Sequence, residues 1–277
     1  FAKVLATQGF LYAKMEEGDK AITNFKRSTT IYISCQGAVN YEDYMKSLDT
    51  MISIYMQREE TGIAKMVLQD KLATGLQFKG ERSSVVATTY KELGIMSFQD
   101  ENYEEALGHF SQSVDVGTYV YKSDDIEFLN CLRYYAVTSD ILGKYDDALN
   151  AYQQILDLVE NREKLPIHNA MGFICNATDR HDEALSHFNE ALKLQSAQGP
   201  DIDEDSTTDR STLMNHLGNV YASKDKLVDA LYCYDLVIDS VESSKTAQEE
   251  RLTAINNKTT VLCNNKKYLD AKICVKE

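Results

Sequence analysis

The sequence predicts an all-α protein made of repeated helical hairpins, an α-solenoid, and three observations predict it. A short phrase recurs: Asn102-Tyr103-Glu104-Glu105-Ala106-Leu107 with Phe110, Lys144-Tyr145-Asp146-Asp147-Ala148-Leu149 with Tyr152, and Arg180-His181-Asp182-Glu183-Ala184-Leu185 with Phe188. Aligned on its Ala, the phrase extends to Ala21, Ala64, Ala106, Ala148, Ala184, Ala230 and Ala271, at steps of 43, 42, 42, 36, 46 and 41 residues. Repeats at such periods mark stacked supersecondary units rather than a single folded core. The 277 residues also include only two Pro and no Trp, a composition that favours long helices.

Each element follows from this register. Four residues beyond the aligned Ala stands a bulky residue, namely Phe25, Leu68, Phe110, Tyr152, Phe188, Tyr234 and Val275. Residues i and i+4 share a helix face, so each pair marks the buried stripe of a second helix. Upstream lies a first helix with a small residue between larger ones, as in Leu93-Gly94 with Ser97, Met171-Gly172, and Leu217-Gly218 with Tyr221, while Gly9 and Tyr12 stand in the first unit and Ile52 and Tyr55 in the second. Gly inside a helix costs roughly 1 kcal/mol, so its recurrence predicts a close helix crossing. Short polar turns join the two helices: Glu16-Glu17-Gly18-Asp19, Gln99-Asp100-Glu101-Asn102, Leu142-Gly143-Lys144, Ala177-Thr178-Asp179-Arg180 and Ser223-Lys224-Asp225-Lys226. The acids that follow, such as Glu104, Glu105, Asp146, Asp147, Asp182 and Glu183, complement the helix dipole.

The reading is one domain over 1–277, with six full hairpins and a partial seventh at 1–38, 41–80, 83–121, 125–163, 165–198, 207–244 and 246–277. An acidic loop, 199–209, accounts for the longest step. Asp201, Asp203 and Asp205 alternate there, but Ser206 and Thr212 stand where a calcium loop needs Gly and a bidentate Glu, so the expectation is a solvated loop without metal. The chain begins at Phe1 and stops inside a helical pattern, as expected of a piece of a longer protein from which a targeting segment could also be missing.

These residues resemble the tetratricopeptide repeat family, whose pattern is Trp-x2-Leu-Gly-x2-Tyr, then Ala-x3-Phe, then Pro. Leu217-Gly218, Tyr221, Ala230 and Tyr234 carry it in the sixth unit, and Leu93-Gly94, Ala106 and Phe110 in the third. The Trp and the closing Pro are missing, and the period is near 42, against about 34 in the ordinary unit. Longer units of this kind look like those of kinesin light chains and related spindle-orientation adaptors. The resemblance implies a right-handed solenoid that acts by binding other proteins.

Charge narrows the partners. A net charge of −14 argues against nucleic acid, whose phosphates need a basic stripe. No apolar run is long enough to span a bilayer. Six cysteines without a CxxC pair, mostly at apolar helical positions, fit reduced buried thiols in an intracellular, cytoplasmic setting. The five histidines show neither metal spacing nor a neighbouring nucleophile, and no phosphate loop is present, so neither catalysis nor a cofactor is expected.

A binding surface is the remaining source of function. Stacked hairpins form a concave face lined by their first helices. Fifteen residues before each aligned Ala stand Ala6, Asp49, Lys91, Arg133, Asn169, Asn215 and Asn256, and His216, Asn219 and Asn257 are neighbours. The run Ile255-Asn256-Asn257 is similar to a Leu-Asn-Asn start in kinesin light chain repeats. A carboxamide donates and accepts, so a row of Asn can bond the backbone of an extended peptide whatever its side chains. Lys91 and Arg133 are candidates to hold an acidic side chain, or else to pair with Glu92, Asp140 or other groove acids. Phe10, Ile95, Phe98, Val137 and Phe173 are candidates for apolar contact. The expected function is a non-enzymatic adaptor that captures an extended peptide. The alternatives are a regulatory module that holds another part of its own polypeptide and a structural subunit that uses its convex face.

Overall fold

In the computed structural model, which describes residues 1–34, 41–122, 125–198, 210–240 and 245–274, the elements are helices. They are α1 (Ala2–Lys14), α2 (Gly18–Ser34), α3 (Tyr41–Gln57), α4 (Thr61–Lys79), α5 (Ser84–Gln99), α6 (Tyr103–Val120), α7 (Ile126–Ile141), α8 (Tyr145–Leu158), α9 (Asn161–Ala177), α10 (His181–Gln198), α11 (Arg210–Ser223), α12 (Leu227–Ile238), α13 (Lys245–Asn264) and α14 (Tyr268–Cys274). The acidic loop at 199–209, Cys35 and Val275 lie outside the described residues.

Packing divides the chain into two compact units, Phe1–Lys144 and Tyr145–Glu277. The first contains α1 to α7, with α1 on α2, α3 on α4 and α5 on α6; the second contains α8 to α14, with α9 on α10, α11 on α12 and α13 on α14. The unit boundary falls in the turn before α8. Helix α9 starts at Asn161, ahead of the expected 165, and carries Pro166 in its second turn. A proline there has no N–H to give, so the helix forfeits one i→i−4 backbone bond in its second turn.

The aligned Ala residues are buried. Ala21, Ala64, Ala106, Ala148, Ala184 and Ala230 have no exposed surface, and Ala271 is buried. Their bulky partners Phe25, Leu68, Phe110, Tyr152, Phe188 and Tyr234 are buried too. Opposite four of the rings the first helix carries Gly. A Cβ on Gly9, Gly94, Gly172 or Gly218 would come within 2.7, 2.5, 2.7 or 2.5 Å of the ring of Phe25, Phe110, Phe188 or Tyr234, respectively. The ring therefore takes the space that a side chain on the first helix would fill. Where the bulky residue is Leu68, the first-helix position is Ile52, and the shared volume is redistributed.

Each turn has one backbone solution. The residue five before the aligned Ala is left-handed in all seven cases: Glu16, Glu59, Glu101, Gly143, Asp179, Asp225 and Lys266. The next residue's N–H reaches back to the first helix, as in Glu17 to Tyr12 (2.9 Å), Asn102 to Ser97 (2.9 Å) and Lys226 to Tyr221 (2.9 Å). This is the six-to-one bond of a Schellman ending, which satisfies otherwise orphaned carbonyls. Asn102 then caps α6 by accepting from the Glu105 N–H. Acids in the first turn of the second helices also reach sideways: Asp19 pairs with Arg58 (2.7 Å), Asp146 with Arg180 (2.5 Å) and Asp182 with Lys224 (2.5 Å). These pairs are largely exposed and tie successive hairpins with little net energy.

Candidate functional site

The second unit holds the Asn series. Helix α11 packs against both α9 and α13, so the residues fifteen before Ala184, Ala230 and Ala271 come from neighbouring helices. Their settings differ. Asn169, half-buried, accepts at Oδ1 from His216 Nδ1 at 2.9 Å, which fixes the ring as the Nδ1–H tautomer. The same imidazole lies edge-on to Phe173 and tilted against Phe188, at 5.8 and 5.3 Å between ring centres. Burial holds His216 below the usual histidine range. Phe173 is 58% exposed, an open aromatic face beside the Asn169–His216 pair.

Asn215 differs from the expectation of an open groove residue. It is 1% exposed, and its Nδ2 donates to the Glu250 carbonyl (2.9 Å) and to Glu250 Oε2 (2.6 Å). Thr212 donates to the other oxygen of that carboxylate, so Glu250 clamps α13 onto α11. Asn215 has taken the structural role its register gave no hint of, because its partner comes from the next hairpin. Asn256 is exposed.

Asn219 and Asn257 line one cleft of about 370 Å³ between α11, the turn at Asp225 and α13. Ala222, Ser223, Tyr234, Thr260, Val261, Asn264 and Asn265 complete its wall. The Tyr234 hydroxyl donates to Asn219 Oδ1 at 2.7 Å, and Asn265 Nδ2 donates to the Val261 carbonyl at 2.9 Å. Asn264 and Asn265 were missed from sequence, although Asn257 and Asn264 stand seven residues apart and so share a face of α13.

The first unit gives the charged candidates partners. Lys91 is bonded to Glu127 on α7, and Lys71 on α4 lies buried between Asp49 (2.7 Å) and Glu92 (2.8 Å). Burial lowers the pKa of Lys71, but the two carboxylates outweigh it and raise it overall. Arg133 is half-buried and also engaged in an interaction. Of the expected apolar residues, Val137 and Phe173 are exposed, whereas Phe10 and Phe98 pack edge-on against Phe25 and Tyr103.

Among the described residues no group of three His, Cys, Asp or Glu is placed to hold a metal. Cys131, Cys175, Cys233 and Cys274 are buried, and burial pushes the thiols of Cys131, Cys175 and Cys233 upward, away from reactivity. No described helix is long and apolar enough to cross a membrane.

Residues 85–161 match the family model of the tetratricopeptide repeat. No curated protein matches the sequence. Among solved structures, the chain is similar to YrrB, a TPR protein with an unusual peptide-binding site, at 18% identity over 80% of this chain and 99% of that one, with a TM-score of 0.56. It is similar to the nearly identical TPR-like repeats of a candidate kinesin light chain from Podosopora anserina at 14% identity, 72% and 99% coverage and a TM-score of 0.55. BtubC (BKLC) from P. vanneervenii gives 14% identity, 75% and 86% coverage and a TM-score of 0.54. The chain thus has the α-solenoid fold of tetratricopeptide-repeat proteins and matches that family's model over residues 85–161, a fold that in general serves non-enzymatic protein interaction.

Proposed function

We propose that the chain is a non-enzymatic scaffold that holds an extended peptide segment of a partner protein along the first helices of its hairpins. The second unit is the main contact. The observation that carries this reading is the amide-rich cleft between α11 and α13, where Asn219, Asn257, Asn264 and Asn265 converge. Carboxamides bond a peptide backbone without demanding a particular side chain. Phe173, exposed beside Asn169 and His216, supplies an apolar contact for one side chain. The peptide-binding site named for YrrB, a protein of the same fold, supports the reading. Lys91 contributes only if a ligand carboxylate displaces Glu127.

The test is affinity capture from the native source with the intact chain beside the triple variant Asn169→Ala, Asn219→Ala, Asn257→Ala. The expected result is loss of the main partner with helicity unchanged. Retention of every partner sinks the groove reading.

One observation favours a second contact face, used in the manner of an assembly subunit. On α12, Val228, Tyr232 and Leu236 are 79%, 64% and 40% exposed at successive i, i+4 positions. The equivalent residues of the fifth hairpin are Asp182, Ser186 and Glu190. An apolar stripe where the preceding hairpin is polar supports a protein contact there.

A further inference from the structure

We propose that His168 and His187, which face each other across the fifth hairpin, form a two-imidazole site for a late first-row divalent cation such as Zn²⁺. The two residues stand nineteen apart in sequence, a spacing with no metal signature, and the packing of α9 on α10 brings their Nδ1 atoms to 3.1 Å. Their ring centres lie 5.3 Å apart, with the planes inclined by 36°.

Without metal this contact is one hydrogen bond between neutral rings, one carrying Nδ1–H and the other accepting at Nδ1. The same separation suits a shared cation. Nitrogens 3.1 Å apart subtend about 100° at a metal held by bonds of about 2.0–2.1 Å, between the right angle of an octahedral site and the tetrahedral angle. Each lone pair must then point about 40° off the line joining the nitrogens, a turn about χ2 that the broad torsion of an imidazole allows. Binding also moves one proton, from Nδ1 to Nε2 of the donating ring. Both rings are half-buried rather than sealed, so that proton exchanges through solvent.

The surrounding charge favours a cation. Glu183 and Glu190 stand four residues before and three after His187, on its face of α10. The carboxylate of Glu183 acts on His187 and that of Glu190 on His168, in each case in favour of positive charge. Lys164 opposes them from α9, and Lys193 partly neutralises Glu190 at 3.2 Å. Burial outweighs the carboxylates and holds both histidines below their usual range, which keeps them in the neutral form that binds metal.

Nitrogen ligands set the class of cation. Mg²⁺ and Ca²⁺ take oxygen, whereas imidazole suits Zn²⁺, Ni²⁺ and Cu²⁺. Among the described residues no third His, Cys, Asp or Glu converges with the pair, so the remaining coordination positions belong to water.

The test is a Zn²⁺ titration of the full chain carrying nitrogen-labelled histidine, with Mg²⁺ as the control cation and long-range proton–nitrogen spectra to follow each ring nitrogen. The expected result is that one equivalent of Zn²⁺ shifts Nδ1 of His168 and His187 together, that a chelator reverses the shift, and that Mg²⁺ has no effect. His168→Asn and His187→Asn, checked for folding by circular dichroism, are each expected to weaken binding more than about tenfold, since even a residue that only supports a ligand is worth about 10–100-fold. His181→Asn, which removes the imidazole beside Asp179, is expected to leave affinity unchanged. Zn²⁺ that moves neither Nδ1, or that reports first at His181, overturns the site. So does a folded His187→Asn variant that binds as tightly as the unaltered chain. The spectra are read on the unaltered chain, so the site is tested even where a variant misfolds.

Discussion

Gly94 lies beneath the ring of Phe110 so closely that a methyl group on its Cα would stand 2.5 Å from Cε1. The two residues divide one space between α5 and α6. Gly94→Ala gains about 1 kcal/mol of helix propensity but must displace a fully buried ring, at about 1–3 kcal/mol. The expected result is a net loss of stability in urea denaturation. Gly108→Ala is the control: nothing lies within 4 Å of a Cβ there, so it is expected to gain up to about 1 kcal/mol. Ala106→Leu, at the same crossing and without exposed surface, is expected to cost about 1–3 kcal/mol. A neutral result for both Gly94→Ala and Ala106→Leu would contradict the crossing.

The turns give a second prediction. Asp225 and Glu101 hold left-handed backbone at φ 56° and 58°, where Gly143 does the same work in the fourth turn. A residue with a Cβ is strained there, at about 1 kcal/mol. Asp225→Gly or Glu101→Gly is expected to raise the thermal midpoint slightly, since the relief outweighs the added freedom of the unfolded chain. Gly143→Val should lower it.

Acid should destabilise the chain before its carboxylates titrate. Burial is the leading cause that lowers the pKa of His109, His168, His187 and His216. His168 and His187 also face each other, Nδ1 to Nδ1, at 3.1 Å. A base with a depressed folded pKa binds fewer protons folded than unfolded, so stability rises with pH through that window. The contribution is fully present above the ordinary histidine pKa, about 6.5, and is lost as pH falls through the lower folded values. The urea midpoint is expected to drop between about pH 7 and pH 5, and His187→Asn should shallow that slope. A flat profile would count against buried neutral histidines.

The fold was legible because its determinants are local. The aligned Ala, the bulky residue four places on and the Gly of the first helix each occupy one register, and seven copies make the pattern plain. The left-handed turn residue was not legible, because six of seven turns place Asp, Glu or Lys there and only Gly143 carries a signal. Of the candidate site, register placed the Asn residues on first helices, and Asn219 and Asn257 line one cleft, but register alone could not separate Asn215, whose amide is claimed by Glu250 from a later helix. Lys91 is likewise held by Glu127, thirty-six residues on, a pairing set by how α5 and α7 pack.

The most direct measurement of the central claim is site-specific photo-crosslinking. A photoreactive phenylalanine analogue replaces Phe173 in one sample and Tyr232 in another, both exposed and both in the second unit. Each is irradiated in extract from the native source. The groove account predicts a partner segment crosslinked at 173 and competed away by excess unaltered chain. Crosslinks confined to 232 would contradict it and place the partner on the outward stripe of α12.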